Sequence, residues 1–358
     1  MTLSRRAVLA GIGGASIALG MPSIIRAQAP RKIRFAFGTS TPNASYMEIV
    51  LGNALGFYAE ENIEVEALPL GQIQLATLAV DKGDVDFAVG VLSFELPLFA
   101  KGELPPITNF MEFVYPFKYD VVVLPGSPIA SYKDLKGKTL GVPSLATSGY
   151  PATRAVLANI GLDPDNDVTW VAVGDGAAAA GAALQQGVID ALAAWDTVIG
   201  TIEGAGIELM TLPRPLKVPL FGGSFAIARQ DYLSSNCETM VGFARGVRKS
   251  QEFMRSNAQA AVHAFLGLYP ELAPRGASTE DAIATLLPVT LRRLPTFVPP
   301  LAGVKPGAIL PAEFTESADF LGLQVSNTES LFTNELVDEM NDFDIAAVEA
   351  QAAAYAIG

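Results

Sequence analysis

The chain has 358 residues, 24 Lys+Arg against 37 Asp+Glu for a formal charge of −13, one histidine, one cysteine and 50% hydrophobic residues. That acidic balance repels nucleic acid and anionic lipid surfaces, so neither is an expected partner. One cysteine excludes an intrachain disulfide, and one histidine forces any Ser-His-Asp triad, Cys-His pair or multi-histidine metal site through His263.

The first residues read as an export signal. Ser4-Arg5-Arg6 precedes an apolar run broken by Gly11, Gly13, Gly14 and Gly20, too short and too glycine-rich for a span, and Ala27-Gln28-Ala29 has the small-residue pattern of a signal-peptidase site. Paired arginines before a mild apolar stretch point to the twin-arginine route, with residues 1–29 as the leader and a periplasmic destination. Loss of Arg5, Arg6 and Arg26, with no acid in the leader, takes the formal charge from −13 to −16.

Strand-like and helix-like runs then alternate in short order, the pattern of an α/β fold. Lys32–Phe37 alternates as a strand and ends at the cap-rich turn Gly38-Thr39-Ser40-Thr41-Pro42-Asn43, before a helix reaching about Ala59. Ile63–Leu68 is a strand, Gln72–Lys82 a helix, and Val85–Gly90 a buried strand closing at Leu92-Ser93. A second block repeats the plan, with strands at Lys138–Val142, Val168–Val173 and Ala191–Ala194, and helices at Ser148–Ile160 and over the alanine-rich stretch that follows Val173. Gly83 with Asp86 in the first block matches Gly187 with Asp190 in the second, a weak internal repeat that predicts two similar lobes. Ser224–Arg229 reads as one more strand and Asn236–Leu268 as long helices. The prolines from Pro288 to Pro311 predict an extended stretch wrapped on the surface. His263 falls on the flank of one of these helices, far from every glycine-rich turn, and reads as a helical residue without chemistry. Cys237 follows Ser234-Ser235-Asn236 at an apparent helix start, where a thiol can be activated, although a small, partly buried packing residue is the commoner case.

Open α/β sheets collect ligands where strands end and helix N-termini present unpaired N–H groups. Four turns qualify: Gly38–Thr41 with Ser40; Leu92-Ser93-Phe94; Ser144–Tyr150 with Thr147, Ser148 and Gly149; and Ala194-Trp195-Asp196-Thr197. In each, helix capping competes with ligand contact as the reason for the polar residues. Trp195 offers a flat wall and one donor, Asp196 an acceptor, and Phe221 a second wall near the presumed crossing between lobes. No GxxxxGK[ST] phosphate loop is present, so a nucleotide enzyme is not indicated.

Leu55-Gly56-Phe57-Tyr58 with Ile63-Glu64-Val65-Glu66, Asp134-Leu135-Lys136-Gly137-Lys138-Thr139-Leu140-Gly141-Val142, and Gly187-Val188-Ile189-Asp190-Ala191 with Trp195-Asp196 resemble the NMT1/THI5-like family of ABC-transporter solute-binding proteins, which includes taurine, alkanesulfonate and nitrate binders. The resemblance covers residues 31 to 270. It implies a two-lobe periplasmic-binding-protein fold of type II, with residues 30–120 plus 224–358 as lobe one and 121–223 as lobe two. Crossings are then expected near Tyr119–Val122 and Phe221–Ser224, around an interlobe ligand cleft. It further implies ligand contacts at Ser40, Ser93, Thr147, Ser148, Trp195 and Asp196, with an ABC permease and its ATPase as partners. The similar pyrimidine synthases depend on a cysteine-rich motif and histidine that this chain lacks, which argues against synthesis.

These features lead to an expectation of a monomeric solute receptor without cofactor, metal or catalytic residues, capturing a small polar organic solute. An exported enzyme using Asp196 or another carboxylate as general base, and a sensory receptor on the same scaffold, are the alternatives.

Overall fold

The computed structural model describes residues 29–39, 41–145, 147, 149–174, 177–215 and 218–358. Residues 1–28 of the leader, Ser40 and Ser148 lie outside the described residues. The elements in chain order are β1 (Arg31–Phe37), α1 (Met47–Ala54), α2 (Phe57–Glu60), β2 (Ile63–Pro69), α3 (Ile73–Asp81), β3 (Phe87–Gly90), α4 (Leu92–Lys101), β4 (Ile107–Val114) and β5 (Tyr119–Val123). Next come β6 (Lys138–Val142), α5 (Gly149–Asn159), β7 (Val168–Ala172), α6 (Ala177–Gln185), β8 (Ala191–Trp195), α7 (Asp196–Gly204), β9 (Met210–Thr211) and β10 (Ser224–Arg229). The remaining helices are α8 (Gln230–Ser256), α9 (Ala258–Leu268), α10 (Thr279–Arg293), α11 (Pro311–Phe320), α12 (Val337–Met340) and α13 (Ile345–Ala354).

Two five-stranded sheets organise these elements, ordered β2-β1-β3-β10-β4 and β7-β6-β8-β5-β9. In the first, β1 is parallel to β2 and β3, and β10 is antiparallel to β3 and β4. In the second, β6 is parallel to β7 and β8, and β5 is antiparallel to β8 and β9. The chain leaves the first sheet after β4 through residues 115–118 and returns through 212–223. Tyr119–Val122, expected near the first crossing, is inside β5 and paired with β8, so that crossing lies a few residues earlier.

The internal repeat is a structural device. Asp86 accepts the Arg34 amide on Oδ2 at 2.9 Å while its own amide donates to the Arg34 carbonyl. Asp190 does the same with Thr139, at 2.7 Å. In each lobe an aspartate entering one strand is locked to its parallel neighbour, and a glycine of positive φ, Gly83 or Gly187, ends the helix before it.

The first lobe's core runs from Phe35, Phe37 and Phe87 through Phe110 and Phe113 to Phe243 and Phe253 of α8. α8 bends at Asn236, where φ and ψ leave the helical region. Cys237, directly after that bend, is exposed rather than packed, and desolvation with the nearby Glu339, Glu335 and Glu238 holds its thiol above the usual range, away from activation. Among the described residues no helix is long and apolar enough to cross a membrane.

Proline 288 does not begin an extended stretch. It sits inside α10, and Pro311 opens α11, where a missing N–H costs nothing. α10 follows α9 of the first lobe yet lies along α7 of the second. Two glycines allow that approach: a Cβ at Gly200 would fall 2.6 Å from Val289 Cα, and one at Gly204 would fall 1.9 Å from the Thr285 carbonyl oxygen. Arg292 clamps the seam with a bidentate bond to Glu203 at 2.9 and 2.5 Å.

Candidate functional site

The turns that follow β1, β3, β6 and β8 carry the expected ligand residues. After β1, Thr39 Oγ1 donates to the Thr41 carbonyl and Asn43 Oδ1 accepts the Ser45 amide, so the hydroxyls here first shape the turn. Tyr46 stacks on Phe37 with centroids 4.3 Å apart. Ser93 is the second residue of α4 and half-buried. Thr147 gives its hydroxyl proton to the Ser144 carbonyl at 2.8 Å and keeps lone pairs for an incoming donor. Gly149 opens α5 and is buried; a Cβ there would stand 3.4 Å from the Tyr119 ring.

Tyr119 is the centre around which three of these residues collect. Trp195 pairs with it across the β5–β8 ladder and remains half-buried. Gly222, at φ 96°, lies so close to the ring that a Cβ would fall 2.4 Å from it. Phe221 is 1% exposed and packed between Tyr119 and Phe320 of α11. Of the two aromatic walls expected for a ligand, Trp195 keeps an open face in this conformation and Phe221 lies within the packing.

Asp196 is the first residue of α7 and 4% exposed. Its amide donates to the Lys118 carbonyl and its Oδ1 accepts the Thr197 amide at 2.8 Å. The rest of the carboxylate faces Arg293, with Nε 2.9 Å from Oδ2 and Nη2 3.2 Å from Oδ1. Burial raises this carboxyl, and Arg293 and Lys118 pull it back. The acceptor that the sequence offers to a ligand is thus largely engaged by the end of α10.

Three residues that sequence reasoning did not single out complete the floor. Arg293 also reaches to 3.9 Å from Glu48 of α1, which is fully buried with no hydrogen-bond partner on either oxygen. Desolvation pushes Glu48 up to about 7 against the pull of Arg293. Lys118, in the first crossing, donates to Ser224 Oγ at 2.7 Å and is lowered to about 8, by desolvation first and Arg293 second. The lobes touch directly where Ser45 Oγ and Thr197 Oγ1 lie 2.7 Å apart. Of the candidate residues, the structure thus brings Gly149, Trp195 and Phe221 together around Tyr119, next to Asp196 in a buried cluster that carries both signs of charge, while Ser93 on α4 and Thr147, bonded to Ser144, are not part of that group.

The buried acids fix the sign of the pH response. Glu48 and Glu95 are both raised to about 7, chiefly by desolvation, so between the ordinary carboxylate range and pH 7 the folded chain holds protons that the unfolded chain has lost. Stability then falls as pH rises through that window, by on the order of 3 kcal/mol for each group. Lys118 opposes this only above about pH 8. The melting midpoint is expected to rise by several degrees from pH 7.5 to 5.5, and Glu48→Gln to flatten that rise; a midpoint that climbs with pH over this range would show these acids to be ionised.

The fold has counterparts of known structure. A protein of Bordetella bronchiseptica RB50 superposes with a TM-score of 0.58 at 21% identity, covering 88% of this chain and 98% of that one. The periplasmic aliphatic sulphonate binding protein SsuA from Escherichia coli gives 0.56 at 20% identity, over 76% of this chain and 82% of that one. The alkanesulfonate-binding protein SsuA from Xanthomonas axonopodis pv. citri, bound to MOPS, gives 0.55 at 18% identity, over 87% and 98%. At these identities the likeness establishes the fold, a two-lobe α/β architecture of the type II binding-protein class. No curated protein matches the sequence. The sequence model of the NMT1/THI5-like family matches residues 43–261, which takes in every strand of the two sheets except β1 and three of the four candidate ligand turns, the turn at Gly38–Thr41 lying just before it. With more than half the chain matched, and with the paired lobes and locking aspartates in place, this protein belongs to the NMT1/THI5-like family.

Proposed function

We propose that the chain is the substrate-binding protein of an ABC transporter, working in the periplasm and closing two lobes on one small polar organic solute. The observation that carries the reading is a two-lobe fold matched to the NMT1/THI5-like family over residues 43–261, its lobes meeting at Ser45–Thr197 and at the buried cluster of Asp196, Arg293 and Glu48, beside the open face of Trp195. The N-termini of α4, α5 and α7 favour an acidic or strongly polar group, each contributing about 0.3 to 2 kcal/mol. A floor carrying Arg293 and Lys118 beside Glu48 and Asp196 presents both signs of charge, which favours a ligand with donors as well as acceptors. A sulfonate with an amine, another zwitterion or a nitrogen heterocycle fits that description. SsuA proteins, named for aliphatic and alkane sulfonates, share the fold and support the sulfonate branch.

A thermal-shift screen of the purified protein against taurine, alkanesulfonates, nitrate, amino acids, pyrimidines and aromatic carboxylates tests this. A true ligand at a hundred times its dissociation constant adds about 2.7 kcal/mol and raises the midpoint by several degrees. Trp195→Ala should abolish that shift while leaving the unliganded midpoint within about 3 °C of the parent, because the ring is only half-buried. A full shift in the variant would take Trp195 out of the site.

A further inference from the structure

Both crossings between the lobes are held by one buried cluster. Glu313, in the first turn of α11, accepts the Gly223 amide on Oε1 at 2.8 Å. One turn on, Glu316 accepts the Leu220 amide at 2.6 Å and Ser317 donates to the Leu220 carbonyl at 3.3 Å, so α11 grips the second crossing along its length. Beside Glu313 stands Glu112 of β4, three residues before the first crossing, with Oε2 accepting the Leu310 amide at 3.2 Å. Both carboxyls are fully buried, and they converge on Gly223, where Glu112 Oε1 and both Glu313 oxygens crowd a single point. Two buried carboxylates brought this close repel one another, which favours one proton on the pair. The oxygens left over from the amide bonds, Glu112 Oε1 and Glu313 Oε2, have no hydrogen-bond partner. A Cβ at Gly223 would fall 2.7 Å from Glu112 Oε1 and 2.8 Å from Glu313 Oε1.

We propose that Glu313, backed by Glu112, is a positioning residue for lobe closure, and that closing the lobes takes up one proton from solvent onto this pair. The proposal rests on reading the chain as a receptor whose lobes open and close. Lys118 ties the first crossing to Ser224 at the start of β10, and the pair sits against Gly223 at the end of the second crossing. Opening rotates the crossings, breaks the Gly223 and Ser224 contacts and admits water, in which two neighbouring carboxyls both ionise above the ordinary carboxylate range. The groups facing the pair do not supply the missing charge. Lys118 is the nearby cation, Glu316 of α11 adds negative charge, Tyr115 of the first crossing is an un-ionised phenol held high by burial, and Arg293 is paired with Asp196. Burial raises both acids, in the same direction as the geometry.

Small-angle scattering of the full chain from pH 5 to pH 8, without added solute, tests this. The ratio of closed to open molecules is expected to fall tenfold per pH unit within the window where one proton is exchanged, seen as a growing radius of gyration. Glu112→Gln supplies the pair's hydrogen as an amide N–H and should remove the pH slope while keeping a closed form; Glu313→Gln should do the same while still accepting the Gly223 amide. Glu95→Gln, at a buried acid inside the first lobe that accepts from Asn109, should keep the parent slope. A radius of gyration independent of pH in the parent, or a parent-like slope in both hinge variants, overturns the proposal. A slope without any hit in the solute screen would leave the hinge standing and the receptor reading in difficulty, whereas solute binding without a slope would remove the hinge proposal alone.

Discussion

Replacing Arg293 by Met is expected to cost 3 to 5 kcal/mol, a range set by what it leaves behind rather than by what it removes. Asp196 would remain 4% exposed with its cation gone, and Glu48 would lose the positive charge that holds its carboxyl down. Breaking one half of a buried pair is much worse than removing both. The double variant Arg293→Met with Asp196→Asn should recover at least half of the loss, because the asparagine keeps an acceptor for the Thr197 amide without a charge. Denaturant melts of the four forms check this: the single variant should melt about 10 °C low and the double much nearer the parent. Equal losses in both would show that Arg293 acts by packing alone.

The second large effect is expected at Gly200, where two tendencies oppose each other. In an isolated helix Ala is better than Gly by about 1 kcal/mol. Here the new methyl carbon falls 2.6 Å from Val289 Cα and 2.8 Å from the Pro288 carbonyl oxygen, and both obstacles are backbone, which cannot swing aside. The seam would have to open by about an ångström, loosening the Arg292–Glu203 clamp beyond it. Overpacking of this kind costs about 1 to 3 kcal/mol, so the clash wins and Gly200→Ala should melt several degrees below the parent. A higher midpoint in the variant would mean that α10 does not lie against α7.

These two residues show where sequence reasoning stops. The alternation of short strands and helices, and the glycine-aspartate repeat, are local signals of fixed period, and the two sheets follow from them. Ser93, Thr147, Gly149, Trp195 and Asp196 are legible as strand-end turns because that position is itself a local pattern; Ser40 and Ser148 belong to the same pattern and fall outside the described residues. Arg293 is not legible. At the end of a helix, beside Arg292, it reads as an ordinary C-terminal cation, and its partner Asp196 is 97 residues away in sequence. Pro288 reads as a breaker, yet α10 carries it inside the helix against the second lobe. Glu48 and Glu112 lie in amphipathic and alternating runs where an acid normally marks the solvent side, so their burial depends on packing that no window of sequence contains.

The measurement that bears most directly on the central claim is calorimetric titration of the purified protein with the strongest hit of the solute screen, followed by mass spectrometry of the recovered solute. The receptor reading expects one site per chain and a solute recovered unchanged after prolonged incubation. A solute returned chemically altered would make the chain an enzyme on a receptor scaffold, and no saturable binding by any member of the panel would contradict capture in the cleft.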